Sequence, residues 1–148
     1  MMWELLLPKR RLRRPEELTP AFLHANGIKG LLLDVDNTLL PWDERELAPA
    51  TRQWAKELLA QGIAIVLVSN NRPQKVAHVA RQWDVQGIAH ARKPFAVGLR
   101  QGLRQLGLQP HETAIVGDQL FTDVLGGNRI GLLTIWVRAR SQREFIGT

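Results

Sequence analysis

The chain has 148 residues, enough for one domain with a buried core and short for two. Hydrophobic residues at 45% and charged residues at 23% exclude a disordered or fibrous chain, and the lack of cysteine excludes disulfides, thiolate metal sites and cysteine nucleophiles. The formal charge is +6, but five of the 20 cations fall in Lys9–Arg14, and outside that segment 15 cations face 14 acids.

No apolar run approaches the roughly 20 residues that cross a bilayer. The opening MMWELLLP has its cations after its apolar residues, which is the wrong order for a secretory signal. Residues 1–27 read as a basic arm followed by a short helix, with Thr19 as cap, Pro20 in the first turn and Gly27 as stop. Residues 28–148 read as one folded unit. KGLLLDV (29–35) and IAIVLVS (63–69) have the unbroken apolar pattern of strands buried on both faces. Between them, residues 49–61 set Ala50, Trp54, Ala55, Leu58 and Leu59 on one helical face. Pro73–Trp83 is predicted helical, Gly87–His90 a weak strand, and Pro94–Leu106 a third main helix closed by Gly107. TAIVG (113–117) and LLTIWV (132–137) complete the strands, with a short helix over Thr122–Arg129 between them. Such alternation predicts an α/β fold of three layers, α/β/α and Rossmann-like, around a parallel sheet.

In such sheets the chemistry gathers beyond the carboxyl ends of the strands. Asp34 and Asp36 end the first buried strand, Ser69 and Asn70 the second, and Asp118 the strand 113–117, while Lys93 follows the weak strand. Two carboxylates two residues apart at the end of a greasy strand are costly to desolvate without a counter-charge. A hard cation with oxygen ligands answers that need, magnesium above all where a phosphate also binds. Asp118 and Asp123 would reach the same rim, and Ser69 and Lys93 add a hydroxyl and a cation suited to phosphoryl oxygens.

These residues resemble the four motifs of the haloacid dehalogenase (HAD) superfamily of aspartate-nucleophile phosphatases. They are Asp34-Val-Asp-Asn-Thr38, Ser69-Asn-Asn, Lys93-Pro94 and Gly117-Asp118-Gln-Leu-Phe-Thr-Asp123, and the likeness covers about residues 28–137. VSNN, ARKP and VGDQLFTDVLGGNR are similar to the small YqeG-like members of subfamily IIIA. The resemblance implies a HAD-like catalytic domain with Asp34 as nucleophile and Asp36 as general acid and base. It implies Mg²⁺ held by the side chains of Asp34 and Asp118 and the backbone carbonyl of Asp36, with Asp123 ordering its waters. Ser69, Asn70 and Thr38 would form the phosphate- and substrate-binding side, with Ser69 on phosphate, Asn70 touching substrate and Thr38 shaping the first loop, while Lys93 would offset the charge.

In this superfamily a cap follows the first motif or lies between the second and third. Asp34 to Ser69 is 35 residues and Ser69 to Lys93 is 24, each filled by a helix and a strand, so no cap domain is expected. An uncapped site suits a large phosphorylated substrate such as a lipid head group, or a small one enclosed by a partner subunit. The family is similar to HAD-type phosphatidylglycerophosphate phosphatases, which suggests that lipid as substrate, with a soluble nucleotide or sugar phosphate as the alternative. A third reading is a phospho-signalling or partner-binding module with little turnover; a second Asp two residues after the first argues for turnover.

Lys9–Arg14 reads either as a solvated lead-in or as a contact with anionic membrane, helped by Trp3 and Leu5–Leu7. Nucleic acid is disfavoured because no aromatic residues interleave the arginines. The expected location is the cytoplasm, at the inner face of the membrane under the lipid reading, as a monomer or dimer. Trp42 reads as packing under the loop beside the site, with substrate contact as the alternative. The four histidines lack ligand spacing, and Arg72, Lys75 and Arg92 read as solvated charges or as a wider positive field.

Overall fold

The computed structural model describes residues 2–140, so residues 141–148 of the expected catalytic domain lie outside the described residues. Six strands form one sheet: β1 (Arg10–Leu12), β2 (Gly30–Leu33), β3 (Ala64–Val68), β4 (Gln86–Ile88), β5 (Thr113–Gly117) and β6 (Leu133–Val137). Their order is β1-β6-β5-β2-β3-β4 and every pairing is parallel. The helices are α1 (Pro20–Ala25), α2 (Pro49–Ala60), α3 (Pro73–Arg81), α4 (Ala96–Leu106) and α5 (Leu125–Arg129), the last preceded by a π-helical turn at Leu120–Val124.

Alternate residues of the central strands feed two cores. Leu31, Leu33, Ile65, Leu67, Ala114 and Val116 pack with Trp54, Ala55 and Leu58 of α2 and Val76, Val79 and Ala80 of α3. Leu32, Val66, Val68 and Ile115 face the other way, onto Leu99 and Leu103 of α4. Each fully buried leucine contributes about 2 kcal/mol by leaving water, so β2, buried along its whole length, is pinned from both sides. This is the expected three-layer α/β/α architecture.

Short local signals set the edges of the elements. The Thr19 hydroxyl accepts from the Phe22 amide at 3.1 Å and caps α1. Gly27 takes φ +70°, a left-handed turn without steric cost for glycine. The helix expected from Pro94 begins at Ala96, because Phe95 at its cap is extended.

Where an arm was expected, the structure has an edge strand: Arg10, Arg11 and Leu12 pair with Ile135, Trp136 and Val137. The Arg10 guanidinium also lies over the Phe22 ring, 5.7 Å from its centroid. The turn at Met2–Leu6 is tied down too, since the Asn128 side chain donates to the carbonyls of Leu5 (2.8 Å) and Leu7 (2.9 Å). A cationic edge strand is a usual device against edge-to-edge pairing.

After β2 the chain runs to β3 and β4 on one side, then returns to β5 and β6 on the other. The topological switch point therefore falls between the carboxyl ends of β2 and β5. Neither the loop between β2 and α2 nor the one between β3 and α3 carries an inserted helix or strand. Among the described residues, no helix is long and apolar enough to cross a membrane.

Candidate active site

Asp34 follows β2 directly, its amide donating to the Val116 carbonyl of β5 (2.9 Å) and so extending the ladder to the switch point. The chain then turns tightly. Asn37 sits at φ +61° with its amide bonded to the Leu40 carbonyl at 2.7 Å; asparagine tolerates that left-handed backbone. Asp118 follows β5, and its carbonyl accepts the Trp136 indole N–H at 2.8 Å. Asp123 is brought back by the π-helical turn until it lies against Gly117. A Cβ on that glycine would sit 2.2 Å from the Asp123 carboxyl, so only glycine permits the approach.

Lys93 joins these groups. Its buried ammonium donates to Asp34 Oδ1 (2.8 Å), Asp123 Oδ1 (2.6 Å) and the Val68 carbonyl (2.9 Å). Burial alone would push the Lys93 pKa down, but the charges of Asp123 and Asp34 and their hydrogen bonds outweigh it and raise it. The ammonium is therefore permanently charged. One cation cannot balance three acids, however. Asp118 is pushed up to about 8 by burial and then by the Asp34 charge. Asp123 is pushed up to about 6 by the same two causes, despite its bond to Lys93.

Asp34, Asp118 and Asp123 each offer a carboxylate oxygen, all within 4.8 Å of one another. An all-oxygen set of clustered carboxylates with a surplus of negative charge fits a hard divalent cation such as magnesium. Proton affinities raised by burial and then by the Asp34 charge are the electrostatic mark of that surplus.

The structure brings together most of the residues singled out in the sequence. Asp34, Asp36, Ser69, Asn70 and Lys93 line one open cleft of about 320 Å³, together with Asn37, Asn71, Gln119 and Thr122. Ser69 is buried, and its hydroxyl oxygen accepts from the Asn71 amide at 3.0 Å. Asn70 is a strap between loops: its Oδ1 accepts from the Lys93 amide (2.9 Å) and its Nδ2 donates to the Lys93 carbonyl (3.2 Å). Thr38, grouped above with the substrate-side residues, is fully buried behind the carboxylates. Its hydroxyl lies 2.9 Å from Asp34 Oδ2 and 3.1 Å from Asp118 Oδ1, so its single proton serves those acids and not the cleft.

Asp36 separates from the cluster. Its carboxylate accepts from Asn71 Nδ2 at 2.6 Å and from the Lys75 ammonium, which also bonds the Trp42 carbonyl. Lys75, read from the sequence as a solvated charge or as part of a wider positive field, is thus buried beside the site. The available signal was its place in the first turn of α3, one position before Val76 and four before Val79 on the inward face. Asn71 was legible only as the last residue of Ser69-Asn-Asn. Trp42, expected under its loop, is 63% exposed because its backbone, not its ring, makes the loop's contacts: its amide bonds Asn37 Oδ1 at 3.1 Å. Arg72 and Arg92 stand exposed beside the cleft, as expected.

Comparison with known proteins agrees with this geometry. The family model described as mitochondrial PGP phosphatase matches residues 3–140. The protein of Bacillus subtilis (strain 168) named "Probable phosphatase YqeG" is 35% identical over 137 residues, 93% of this chain and 80% of its own length. The chloroplastic phosphatidylglycerophosphate phosphatase 1 of Chlamydomonas reinhardtii is 34% identical over 128 residues, 78% of this chain but only 46% of that longer protein. Among solved structures, the cobalt-bound deoxy-D-mannose-octulosonate 8-phosphate phosphatase of Haemophilus influenzae superposes with TM-score 0.58 at 15% identity. The superposition covers 76% of this chain and 69% of that one.

Proposed function

The chain belongs to the mitochondrial PGP phosphatase family and is a phosphatase of the HAD type, and from that premise we propose a magnesium-dependent phosphomonoester hydrolase acting through an aspartyl-phosphate. The observation that carries the mechanism is the Lys93 ammonium shared by Asp34 and Asp123 beside Asp118, with Asp36 held apart. Asp34 Oδ attacks phosphorus; a P–O bond to Asp34 forms as the bond to the substrate alkoxide breaks. Asp36, protonated for this step, gives its proton to the leaving oxygen. It then takes a proton from water as that oxygen attacks phosphorus, releasing phosphate and freeing Asp34.

The remaining residues prepare these steps. Lys93 neutralises Asp34 until phosphorus arrives, and the Thr38 hydroxyl orients Asp34 and Asp118. Asn71 and Lys75 aim Asp36, while Ser69 and the neighbouring amides receive phosphoryl oxygens. Asp34 and Asp118, with the Asp36 carbonyl and with Asp123 behind them, are the residues that would hold Mg²⁺. The ion would supply positive charge against the phosphoryl oxygens.

The substrate we infer is phosphatidylglycerophosphate, the lipid for which the Chlamydomonas reinhardtii relative is named. An open cleft without a cap admits a head group still anchored in its bilayer. Lys9–Arg14, with Arg11, Arg13 and Arg14 exposed, adds attraction to anionic lipid. On this reading the enzyme works in the cytoplasm at the inner membrane face.

The test presents purified protein and Mg²⁺ with phosphatidylglycerophosphate in mixed micelles, a hexose phosphate and a nucleoside monophosphate, each beside Asp34→Asn. The lipid should be turned over fastest and the variant should lose about 10⁴-fold or more. Preference for a soluble ester would replace the lipid, and full activity in Asp34→Asn would remove the nucleophile.

A further inference from the structure

Among the described residues, seven large apolar side chains are exposed, and five of them follow or adjoin in sequence the residues that line the phosphate cleft: Trp42, Phe95, Val97, Leu120 and Phe121. Phe95 and Phe121 are 66% and 68% exposed. Phe95 lies two residues after Lys93 and Phe121 two residues before Asp123, and Lys93 and Asp123 are bonded at 2.6 Å. The two rings are thus carried on adjoining loops, with Val97 in the first turn of α4 and Leu120 beside Phe121. Gln119 and Thr122, on either side of Leu120 and Phe121, line the cleft itself. The greasy lip and the polar site share one wall.

Its surroundings are poor in exposed acids. Residues 85–111 contain no Asp or Glu, and neither do residues 124–140; the acids beside Leu120 and Phe121 are Asp118, half-buried in the carboxylate cluster, and Asp123, buried against Lys93. Arg92, exposed, precedes Phe95 by three residues, and the Phe95 amide bonds its carbonyl at 2.9 Å. The exposed acids Asp43 and Glu44 adjoin Trp42, on the segment after Asp36. Exposed aromatic rings beside an exposed arginine, with no exposed acid adjoining them in sequence, match the boundary between acyl chains and anionic head groups.

We propose that the lip formed by Phe95, Val97, Leu120 and Phe121 seats on an anionic lipid bilayer, so that a phosphorylated head group enters the cleft without leaving the membrane. This rests on the lipid reading above and goes beyond it by naming the face that meets the membrane. That face is the cleft's own rim, and the basic segment Lys9–Arg14, whose backbone is spent on the sheet, is secondary.

Full-length wild type, Phe95→Ser/Phe121→Ser, Phe121→Trp and Arg11→Gln/Arg13→Gln would be sedimented with vesicles of phosphatidylcholine containing 30% phosphatidylglycerol, roughly the anionic content of a bacterial or organellar leaflet. Hydrolysis of p-nitrophenyl phosphate and oligomeric state would be measured alongside. The double phenylalanine variant should partition about tenfold less, Phe121→Trp more than wild type, and the arginine variant only a few-fold less. Both phenylalanines are exposed, and serine is itself a good cap for α4, so folding and soluble turnover should persist.

Equal partitioning of the double variant and wild type overturns the proposal. So does a wild-type dimer that the double variant dissolves while wild type ignores vesicles. If wild type binds vesicles but leaves phosphatidylglycerophosphate intact, the substrate reading fails and the docking stands. If it hydrolyses that lipid in micelles but does not sediment, the docking fails and the substrate reading stands.

Discussion

Asp118→Asn should stabilise this protein in the absence of divalent cations, though it removes a group placed to hold one. In the folded state Asp118 titrates near 8, against an ordinary value of 3.8. Below about pH 4 the carboxyl is protonated in both states and costs nothing. As pH rises, the unfolded chain releases that proton while the folded chain keeps it, so stability falls until the folded value is passed. At about pH 7.5 the gap of nearly 4 units, at roughly 1.4 kcal/mol each, sets a ceiling near 5 kcal/mol. Asp118 keeps part of its surface in water and shares its repulsion with Asp34 and Asp123, which brings the expectation to about 2–4 kcal/mol. Asparagine preserves the shape and an acceptor for Thr38 without the charge. Thermal melts in EDTA should place the variant roughly 5–10 °C above wild type at pH 7.5, with the two converging near pH 4. Added magnesium should raise wild type and leave the variant almost unmoved. A variant less stable than wild type at neutral pH in EDTA, or a wild-type curve flat between pH 4 and 8, would refute the reasoning.

Lys75→Met removes the ammonium that holds Asp36, and kcat should fall about 10–100-fold with KM little changed; a change confined to KM would show that Lys75 serves substrate binding instead. Glu16→Gln breaks a half-buried unit in which Glu16 meets Arg140 and the Thr51 hydroxyl, and should cost about 2 kcal/mol in denaturant titrations at pH 7. Burial alone would raise the Glu16 pKa, but the bonds from Thr51 and Arg140 hold it below the ordinary 4.5. The difference between wild type and variant should therefore be complete above about pH 5 and close as pH falls through the depressed value; a gap that widens in acid would contradict the pairing. Orthovanadate should bind wild type only with Mg²⁺, at least about 100-fold more weakly in EDTA by calorimetry, and tight binding in EDTA would show that Lys93 suffices.

The central strands were legible because their physics is local. Leu31–Leu33 and Ile65–Val68 need apolar neighbours on both faces, and that need appears as an unbroken apolar run. Asp34, Ser69 and Asp118 were legible for the same reason, each being the first polar residue beyond such a run, and Lys93 by its place in the loop after the weak strand. The strand Arg10–Leu12 was hidden because three residues with two arginines carry no strand pattern; it exists through the ladder that β6 offers. Lys75 was hidden because its partner, Asp36, lies 39 residues upstream and across the cleft. Trp42 misled because burial is the usual fate of tryptophan, yet the loop spends only its backbone on the fold.

Near-neutrality outside Lys9–Arg14 conceals a separation that the fold makes useful. Residues 34–57 carry six acids, while residues 85–111 carry four Lys and Arg and no acid. β2 and β4 bracket β3, so these segments border the cleft from different sides. An anionic surface approaching the mouth is repelled beside Trp42, Asp43 and Glu44 and attracted beside Arg92 and Phe95. It can meet the protein squarely in few orientations, and those bring the Lys93 loop nearest to it. Inside the cleft the balance reverses, because Asp34, Asp118 and Asp123 outnumber Lys93. On the proposed docking, a phosphate drawn to the lip by Arg92 would enter the acidic floor only where a further cation offsets those carboxylates. The outer field would then select a surface, and the inner deficit a metal-loaded enzyme.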